Sequence, residues 1–404
     1  MAVAPLQITV DPDVVQGLFQ GDDGLARLVE SVVNQILTAQ VAEQLGAGRY
    51  ERTEGRQGYR NGTRERTMRT RVGTLTLEVP QVRDGVFSTE LFARYQRSEQ
   101  ALVLALMEMV VNGVSTRRVK RITEELCGTS FSKSTVSELC KALDPLVEEW
   151  NNRPLGRYPF VIVDALVIRV RKDGHIRQAS AFVAVGVNEE GRREILGLML
   201  GDSECEDSWS SFFAWLKGRH LAGIDLVVSD DHQGLVKAVH RHFQGAMWQR
   251  CQTHLTRNIL DACPKVHQTS LHACLRRIFE APDVATARKF LEETLSAYER
   301  KAPQAMKRLE AGFDDAVTVL TLPEPYRQRL RTTNGLERLN EEIRRRENAI
   351  RIFPNEASAL RLLGALLIEQ DENWSTGRRY LMMQTYLEWR RDKEAPSTER
   401  GDAA

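Results

Sequence analysis

Two aspartates lie in or directly after short apolar runs, where carboxylates are unusual because such runs are typical of buried strands. Asp164 lies within the otherwise apolar run Phe160–Ile168, and Asp230 follows the short run 226–229. A buried carboxylate is unfavourable unless it is paired, hydrogen-bonded or bound to a metal ion. If the two runs are neighbouring strands, both carboxylates meet at the carboxyl edge of a sheet and offer oxygen ligands for Mg²⁺. Alternatively, each aspartate only caps the turn that follows it.

A third acid lies on a helix predicted over residues 332–346. Polar side chains recur along one stripe of this helix at i, i+3, i+7 and i+10: Asn334, Glu337, Glu341 and Arg344. An acid with an arginine two turns later suits a site that holds a metal ion next to a phosphate group. The alternative is that this stripe is an ordinary solvated helix face without a functional role.

Cys251 and His254 form a C-x-x-H pair. Such a pair is half of a structural zinc site, which needs four ligands, and Cys263 and His267 lie nearby in the sequence. We nevertheless expect no stoichiometric zinc ion, because no second Cys/His pair with finger-like spacing is evident. The remaining alternatives are a chemical role for His254 or a buried structural pair.

The composition excludes several classes of protein. The 404 residues are 42% hydrophobic and 27% charged, which is typical of a globular chain with real cores and excludes collagen-like, mucin-like and disordered chains. No apolar run approaches the ~20 residues of a membrane span. The first ten residues contain no Lys or Arg, so we expect no secretory signal. Six thinly spread cysteines indicate reduced thiols, and we expect a cytoplasmic, nucleoid-associated protein without membrane contact.

The charge distribution is uneven although the net charge is only +1. Residues 49–83 contain nine arginines against four glutamates, a local charge of +5 that a polyanion would feel. Four of these arginines are candidate phosphate contacts if they line one strand face: Arg64, Arg66, Arg69 and Arg71. The alternating pattern over 74–80 predicts a half-buried strand beside them. The alternative is a solvated hairpin.

Two short helices predicted over 115–126 and 132–143, joined across Gly128, are typical of a helix-turn-helix. The segment 115–143 has six basic and three acidic residues, and its candidate DNA contacts are Arg117, Arg118 and Lys133. Helix pairs of this kind are also often plain core. The order of basic hairpin, helix-turn-helix and a following α/β region favours DNA binding.

The remaining pattern predicts an α/β core. Strands over 160–170, 179–187 and 194–200 are followed by alternating helices and strands, the element order of a ribonuclease H-like fold, and 253–330 is helical throughout. We therefore predict an α/β catalytic core of ribonuclease H-like type with a helical insertion, preceded by a mostly α DNA-binding region. The predicted boundaries are 1–48 (helical), 49–150 (DNA-binding), 158–390 (core, insertion about 253–330) and 391–404 (disordered tail).

Several motifs occur together in one order over about residues 25–390: Tyr59–Gly62, Gly113–Arg117, Leu198–Glu204, Trp248–His254, Asn334–Asn340 and Phe353–Ser358. In these motifs the chain resembles the bacterial insertion-sequence transposases of the Mutator type, a family of DDE enzymes. The resemblance implies that Asp164, Asp230 and Glu337 are the catalytic triad and that 253–330 is an insertion within the core. It also implies that Arg344 matches the basic position of the family. One departure is Asp231, which follows Asp230 and could be confused with the second ligand.

The resemblance implies a transposase that binds the terminal inverted repeats of its insertion sequence and catalyses DNA strand cleavage and strand transfer. Two Mg²⁺ ions, for which Mn²⁺ can substitute, would be held by Asp164, Asp230 and Glu337. One would activate the attacking water or 3′-hydroxyl and the other would stabilise the leaving oxygen. His254 would act beside the scissile phosphate. The expected partners are double-stranded DNA, as repeats and as target, and further copies of the chain in a homodimer or higher oligomer.

Two other functions compete with this interpretation. The first is a catalytically silent DNA-binding regulator derived from a transposase, which an intact triad disfavours because idle buried carboxylates carry a desolvation cost. The second is another ribonuclease H-like nuclease, such as a junction resolvase, which the long helical insertion disfavours.

Overall fold

The computed structural model describes residues 8–18, 24–83, 87, 89, 91–92, 96–127 and 131–394. The chain divides into two compact units, Met1–Ala142 and Leu143–Ala404. The division falls earlier than the predicted end of the DNA-binding region at residue 150. The first unit is built from α1 (Pro12–Gly17), α2 (Gly24–Leu45), β1 (Arg60–Thr70), β2 (Gly73–Val82), α3 (Gln100–Val111), α4 (Thr116–Cys127) and α5 (Lys133–Cys140).

The first unit has an antiparallel hairpin, β1–β2, that packs against α2. Leu75 and Leu77 of β2 face inward with Leu37 of α2, because the alternating pattern of this strand has one apolar side. The predicted strand over 74–80 is thus confirmed.

Helices α3, α4 and α5 contact one another and follow the hairpin in the chain. Both helices of the predicted helix-turn-helix are present at the expected positions, and Ser132 caps α5 by accepting a hydrogen bond from the Thr135 amide. The expected turn at Gly128 lies outside the described residues.

The second unit contains a five-stranded mixed sheet surrounded by helices, so the predicted α/β class is confirmed at that level. Short 3₁₀ turns occupy Lys141–Leu143, at the boundary between the units in the chain, and Thr318–Thr321. The helices and strands of the second unit are α6 (Asp144–Asn152), β3 (Phe160–Lys172), β4 (His175–Val187), β5 (Arg193–Gly201), α7 (Glu206–Gly218), β6 (Leu226–Ser229), α8 (Gln233–His242), β7 (Met247–Arg250), α9 (Gln252–Asp261), α10 (Lys265–Phe279), α11 (Val284–Tyr298), α12 (Pro303–Ala316), α13 (Glu324–Leu330), α14 (Asn334–Ile350), α15 (Glu356–Thr376) and α16 (Gln384–Glu394).

The strand order in this sheet is β5-β4-β3-β6-β7. Strands β3, β4 and β5 form an antiparallel meander, whereas β6 and β7 run parallel to β3. Trp209, Phe212 and Phe213 of α7 are fully buried and pack with apolar residues of β3, β4 and β6. The central strand β3 therefore lies between an antiparallel and a parallel neighbour.

Helices α9 to α12 form the predicted helical insertion around an apolar cluster of their own. Leu255, Leu271, Leu309 and Phe313 are buried in this cluster. Prolines lie at two of the helix starts, since Pro303 begins α12 and Pro264 directly precedes α10. In the part of the chain that the structure describes, no helix is long and apolar enough to cross a membrane.

The C-terminal end differs from the prediction. Helix α16 continues to Glu394, so residues 391–394, placed in a disordered tail by their polar composition, are helical. Tyr386 on this helix is fully buried and donates from its hydroxyl group to Asp225 at 2.6 Å. This packing holds the helix although its composition is polar. The residues after 394 lie outside the described part.

The two hairpin turns of the meander allow a stability test. Gly174 and Gly191 both have the left-handed backbone (φ of +77° and +79°), but only a Cβ at Gly191 would overlap another group, the Leu381 carbonyl oxygen. We expect Gly174→Ala to cost about 1 kcal/mol and Gly191→Ala several kcal/mol, since the second change also displaces two amides that donate to the Gly191 carbonyl. Urea unfolding midpoints measure both values. Equal losses would show that the Leu381 contact does not matter.

Candidate functional site

Asp164 and Asp230 lie side by side just beyond the parallel pairing of β3 and β6. Phe160 pairs with Leu226, and Ile162 pairs with Val228 in the parallel register of β3 and β6. Continuing this register by two residues from the pair Ile162–Val228 places Asp164 opposite Asp230. The predicted convergence of the two aspartates is therefore confirmed by the register.

Burial and mutual repulsion change the acidity of Asp164. Its burial, followed by the negative charge of Asp230, raises the pKa of the Asp164 carboxyl group to about 7. The Oδ1 atom of Asp230 is itself buried and has no hydrogen-bond partner. Two adjacent carboxyl groups, one of them with a buried oxygen that has no donor, form a site that favours a bound cation or a proton.

Glu337 is brought to the sheet by contacts between the first turns of α9 and α14. The Gln252 amide donates to the Arg331 carbonyl oxygen at 3.0 Å, and the Thr253 hydroxyl donates to Asn334 Oδ1 at 3.0 Å. The Thr333 amide and hydroxyl approach Cys251 Sγ at 3.4 and 3.3 Å. These contacts fix the start of α14, on which Glu337 lies one turn in.

His254 lies between the acids. Its Nε2 is 3.3 Å from Glu337 Oε1, without the geometry of a hydrogen bond, since that oxygen is buried and unpartnered. Hydrogen bonding to Cys251 outweighs burial and, with the charges of Glu337 and Asp164, raises the pKa of His254 to about 9. The imidazole is therefore a cation at neutral pH, and its charge acts on both Asp164 and Glu337.

Cys251 interacts with this cation, and the interaction changes the acidity of its thiol. Burial opposes ionisation of the thiol, but hydrogen bonds from His254 and Thr333 outweigh it and lower the pKa of Cys251. In the described part of the chain, the ligand atoms of Cys251, His254 and Glu337 form a group within 4.8 Å of one another, whereas the three acids form no such group. Cys263 and His267 do not join it, since Cys263 is buried in the insertion and His267 faces Tyr298.

Two residues of the site were not assigned from the sequence. Asn340 donates from Nδ2 to Asp164 Oδ2 at 2.8 Å, while the Ala165 amide donates to Oδ1 at 2.9 Å. Asn340 lies one turn after Glu337, so the helix face that carries Glu337 also contacts Asp164. This spacing, within the motif Asn334–Asn340, was the available signal.

Glu204 is the second residue that sequence reasoning missed. It accepts a long hydrogen bond from Trp209 Nε1 at 3.4 Å and lies 3.8 Å from His232 Nδ1, two residues after Asp230. Burial and then the charge of Asp230 raise the pKa of Glu204, against the opposing effect of His232. Its position at the end of the motif Leu198–Glu204 was the available signal.

The other predicted site residues on this unit lie apart. Asp231 forms an ion pair with Arg250 at 2.8 Å, which separates its role from that of Asp230. Glu341 and Arg344 are exposed, and the charge of Arg344 acts on Glu347 rather than on the acids. The structure thus sets Asp164 beside Asp230 and His254 beside Glu337, and Arg344 joins neither pair.

The predicted DNA contacts of the hairpin do not share one strand face. Arg64 and Arg66 lie on the same face of β1, whereas Arg69 points to the other and Arg71 follows the strand. Arg66 stacks on Phe92 at 4.4 Å and Arg69 lies over Phe131 at 5.3 Å. Because neighbouring residues of a strand alternate between its faces, the condition that all four arginines line one face is not met.

These arginines also differ in their partners. Arg71 donates from its amide and Nε to Glu99 at 2.9 and 2.7 Å, so its charge is compensated. Among the described residues no ion-pair partner is found for Arg64 or for the exposed Arg117 and Arg118 at the start of α4. Lys133 begins α5, but its side chain lies outside the described residues.

The comparison with known proteins places this α/β chain, with its acidic sheet edge and separate helical unit, among the transposases. Residues 6–377 match the Mutator family of transposases, and the chain belongs to that family. It is 43% identical over 384 residues to the transposase of insertion sequence element IS256 in transposon Tn4001 of Staphylococcus aureus, covering 93% of this chain and 98% of the relative.

Two further relatives are also named as transposases of insertion sequence elements. The chain is 44% identical over 372 residues to the transposase of ISRM5 from Rhizobium meliloti, covering 92% of this chain and 94% of the relative. It is 38% identical over 365 residues to the transposase of IS1081 from Mycobacterium tuberculosis, covering 90% and 88%. The family resemblance predicted from the motifs is confirmed.

The raised pKa of Asp164 predicts how the metal-free protein responds to pH. Between about pH 4 and 7 the folded chain keeps a proton that the unfolded chain has lost, so this carboxyl group lowers stability as the pH rises. Asp164→Asn should therefore be more stable than wild type by roughly 2–4 kcal/mol at pH 8 and nearly equal to it at pH 4. Urea unfolding with a chelator present measures the difference. A difference independent of pH would contradict this origin.

Proposed function

We propose that this chain is a DDE transposase that binds the terminal inverted repeats of its insertion sequence and catalyses strand cleavage and strand transfer. The observation that carries the proposal is the register that sets Asp164 beside Asp230, with α14 tied so that Glu337 faces the same region. The strand order, an antiparallel meander followed by two parallel strands, supports a ribonuclease H-like core. Relatives of this chain that are named as transposases support the activity.

The residues of the site fit a hard divalent cation. Asp230 Oδ1 and Glu337 Oε1 are buried acceptors without a donor, and carboxylate oxygens are the ligands that Mg²⁺ prefers. Asp164, Asp230 and Glu337 would hold Mg²⁺, or Mn²⁺ in its place. Bound there, the metal would supply activation of the attacking oxygen and stabilisation of the leaving oxygen.

The side chains around the acids have separate tasks in this proposal. Asn340 and the Ala165 amide fix the orientation of the Asp164 carboxylate, each through one of its oxygens. The His254 cation lowers the net negative charge of the site and can donate to a phosphate oxygen of the DNA. Without such a cation, a polyanionic substrate would approach a cluster of carboxylates.

The helical first unit is the proposed recognition module. It combines a helix pair of helix-turn-helix type with exposed arginines that have no acidic partner among the described residues, which suits contacts to backbone phosphates: Arg64, Arg117 and Arg118. Double-stranded DNA, as element ends and as target, is the proposed substrate. Since two ends must be joined, a homodimer or higher oligomer is the proposed working form.

Glu337→Gln tests this function because it keeps the shape of the side chain and removes its charge. With Mg²⁺ and DNA that carries the element ends, we expect binding to survive and strand cleavage to fall by orders of magnitude, since the uncatalysed reaction is among the slowest known. Gel analysis of labelled strands measures both.

Glu341→Gln is the matched control, because Glu341 is an exposed acid one turn further along α14. It should remain largely active. Cleavage by Glu337→Gln but not by Glu341→Gln would show that the wrong acid was assigned. DNA binding without cleavage by the wild-type protein would favour the silent regulator.

A further inference from the structure

Arg193, at the start of β5, is held between two aromatic rings of the C-terminal segment. Its guanidinium carbon lies 3.5 Å from the ring centroid of Trp374 and 4.7 Å from that of Tyr380. Arg329 of α13 lies over the same Tyr380 ring, also at 4.7 Å. Planar stacking of this kind fixes a guanidinium group in one orientation.

Backbone hydrogen bonds connect the segment that carries Tyr380 to the antiparallel meander. The Tyr380 amide donates to the Gly191 carbonyl oxygen at 2.8 Å, and the Leu381 amide donates to the same oxygen at 3.1 Å. The turn that contains Gly191 thus holds the segment that carries Tyr380 beside Arg193. Arg193, Arg329 and Arg338, with Tyr380 and Trp374, are here called the arginine cluster.

The arginine cluster has no acid of its own. In the part of the chain that the structure describes, Arg193, Arg329 and Arg338 have no ion-pair partner, although neighbouring Arg192 pairs with Glu190. Burial, and then the positive charges of Arg329 and Arg338, lower the pKa of Arg193. Its Nε is buried without a hydrogen-bond partner. Among the described residues, these three like charges have no counter-ion that would offset the cost of bringing them together.

The cluster adjoins the turn of α14 that carries Glu337. A Cβ at Gly335 would lie 3.1 Å from Arg193 Nη1, so this guanidinium group rests against the first turn of the helix. Arg338 directly follows Glu337 and is exposed, as is Arg329. An anion bound by the cluster would therefore lie next to the acids.

We propose that the arginine cluster binds a backbone phosphate of the DNA strand that leads into the acidic site. The inference rests on the proposed function, which supplies the DNA. A guanidinium fork matches two phosphate oxygens, and a contact beside Glu337 positions the strand for cleavage. The exposed members, Arg329 and Arg338, make the contact, while Arg193 and the rings hold them in place.

The test measures DNA binding by the full chain in the Glu337→Gln background, so that cleavage does not interfere. The probes are 40-base-pair duplexes that cover the DNA on each side of the gene. Arg329→Ala and Arg338→Ala should each weaken binding about tenfold and reduce the slope of log K against log salt by about 1. Arg300→Ala, an exposed arginine without an ion pair in the insertion, is the matched control and should bind unchanged.

A second measurement identifies the phosphate. Duplexes with one neutral methylphosphonate linkage are scanned along each strand, and the linkages that weaken binding by the parent protein are recorded. At one such linkage near the cleavage position, Arg338→Ala should suffer no additional loss, because the same contact is removed from both sides. Losses that add at every linkage overturn the proposal, and so does binding by the cluster variants that equals that of Arg300→Ala.

The two proposals can fail separately. If the wild-type chain cleaves the element ends while the cluster variants bind normally, the arginine inference is wrong and the transposase function stands. If the cluster variants lose binding as expected but the wild-type chain never cleaves, the function is wrong and the DNA contact stands. Unchanged melting temperatures of the variants, whose altered side chains are exposed, establish that the fold is intact.

Discussion

The hydrogen bonds between the start of α9 and the start of α14 are the constraint on which the site depends. Glu337 follows Asp230 by 107 positions (337 − 230), and closing so long a loop is unfavourable for a flexible chain. The insertion solves this by folding around its own apolar cluster, so that the chain leaves at Gln252 and returns at Arg331, within one hydrogen bond. Cys251 and Thr333 complete the same junction. A third acid can therefore reach the sheet edge.

The same junction sets the electrostatics. Cys251 and His254 lie on its α9 side. The interaction with Cys251, with the charges of Glu337 and Asp164, raises the pKa of His254 to about 9, so that the imidazole is a cation beside Glu337. Without this cation, the junction would hold Glu337 with no positive charge beside it. Burial, followed by the negative charge of Asp230, already raises the pKa of Asp164 to about 7. The C-x-x-H pair is thus part of the acidic site, through charge as well as through position.

Much of this arrangement could be predicted because it depends on local pattern. Apolar runs identified the strands that carry Asp164 and Asp230, and capping residues identified the helix pair of the first unit. What could not be predicted depends on contacts between distant segments: Asn340 with Asp164, Asp231 with Arg250, Arg71 with Glu99 and the aromatic stacking of Arg193. Each of these decides whether a charge is free or compensated, and composition alone does not carry that information.

The most direct measurement is anomalous X-ray diffraction from crystals of the full chain soaked in Mn²⁺. The account predicts a manganese peak bonded to carboxylate oxygens of both Asp164 and Asp230, with Glu337 as a further ligand, and loss of the peak in Asp164→Asn. Manganese held by Cys251, His254 and Glu337 with neither aspartate, the other group of possible ligands, would contradict the account. So would well-ordered acids that bind no manganese at saturating concentration.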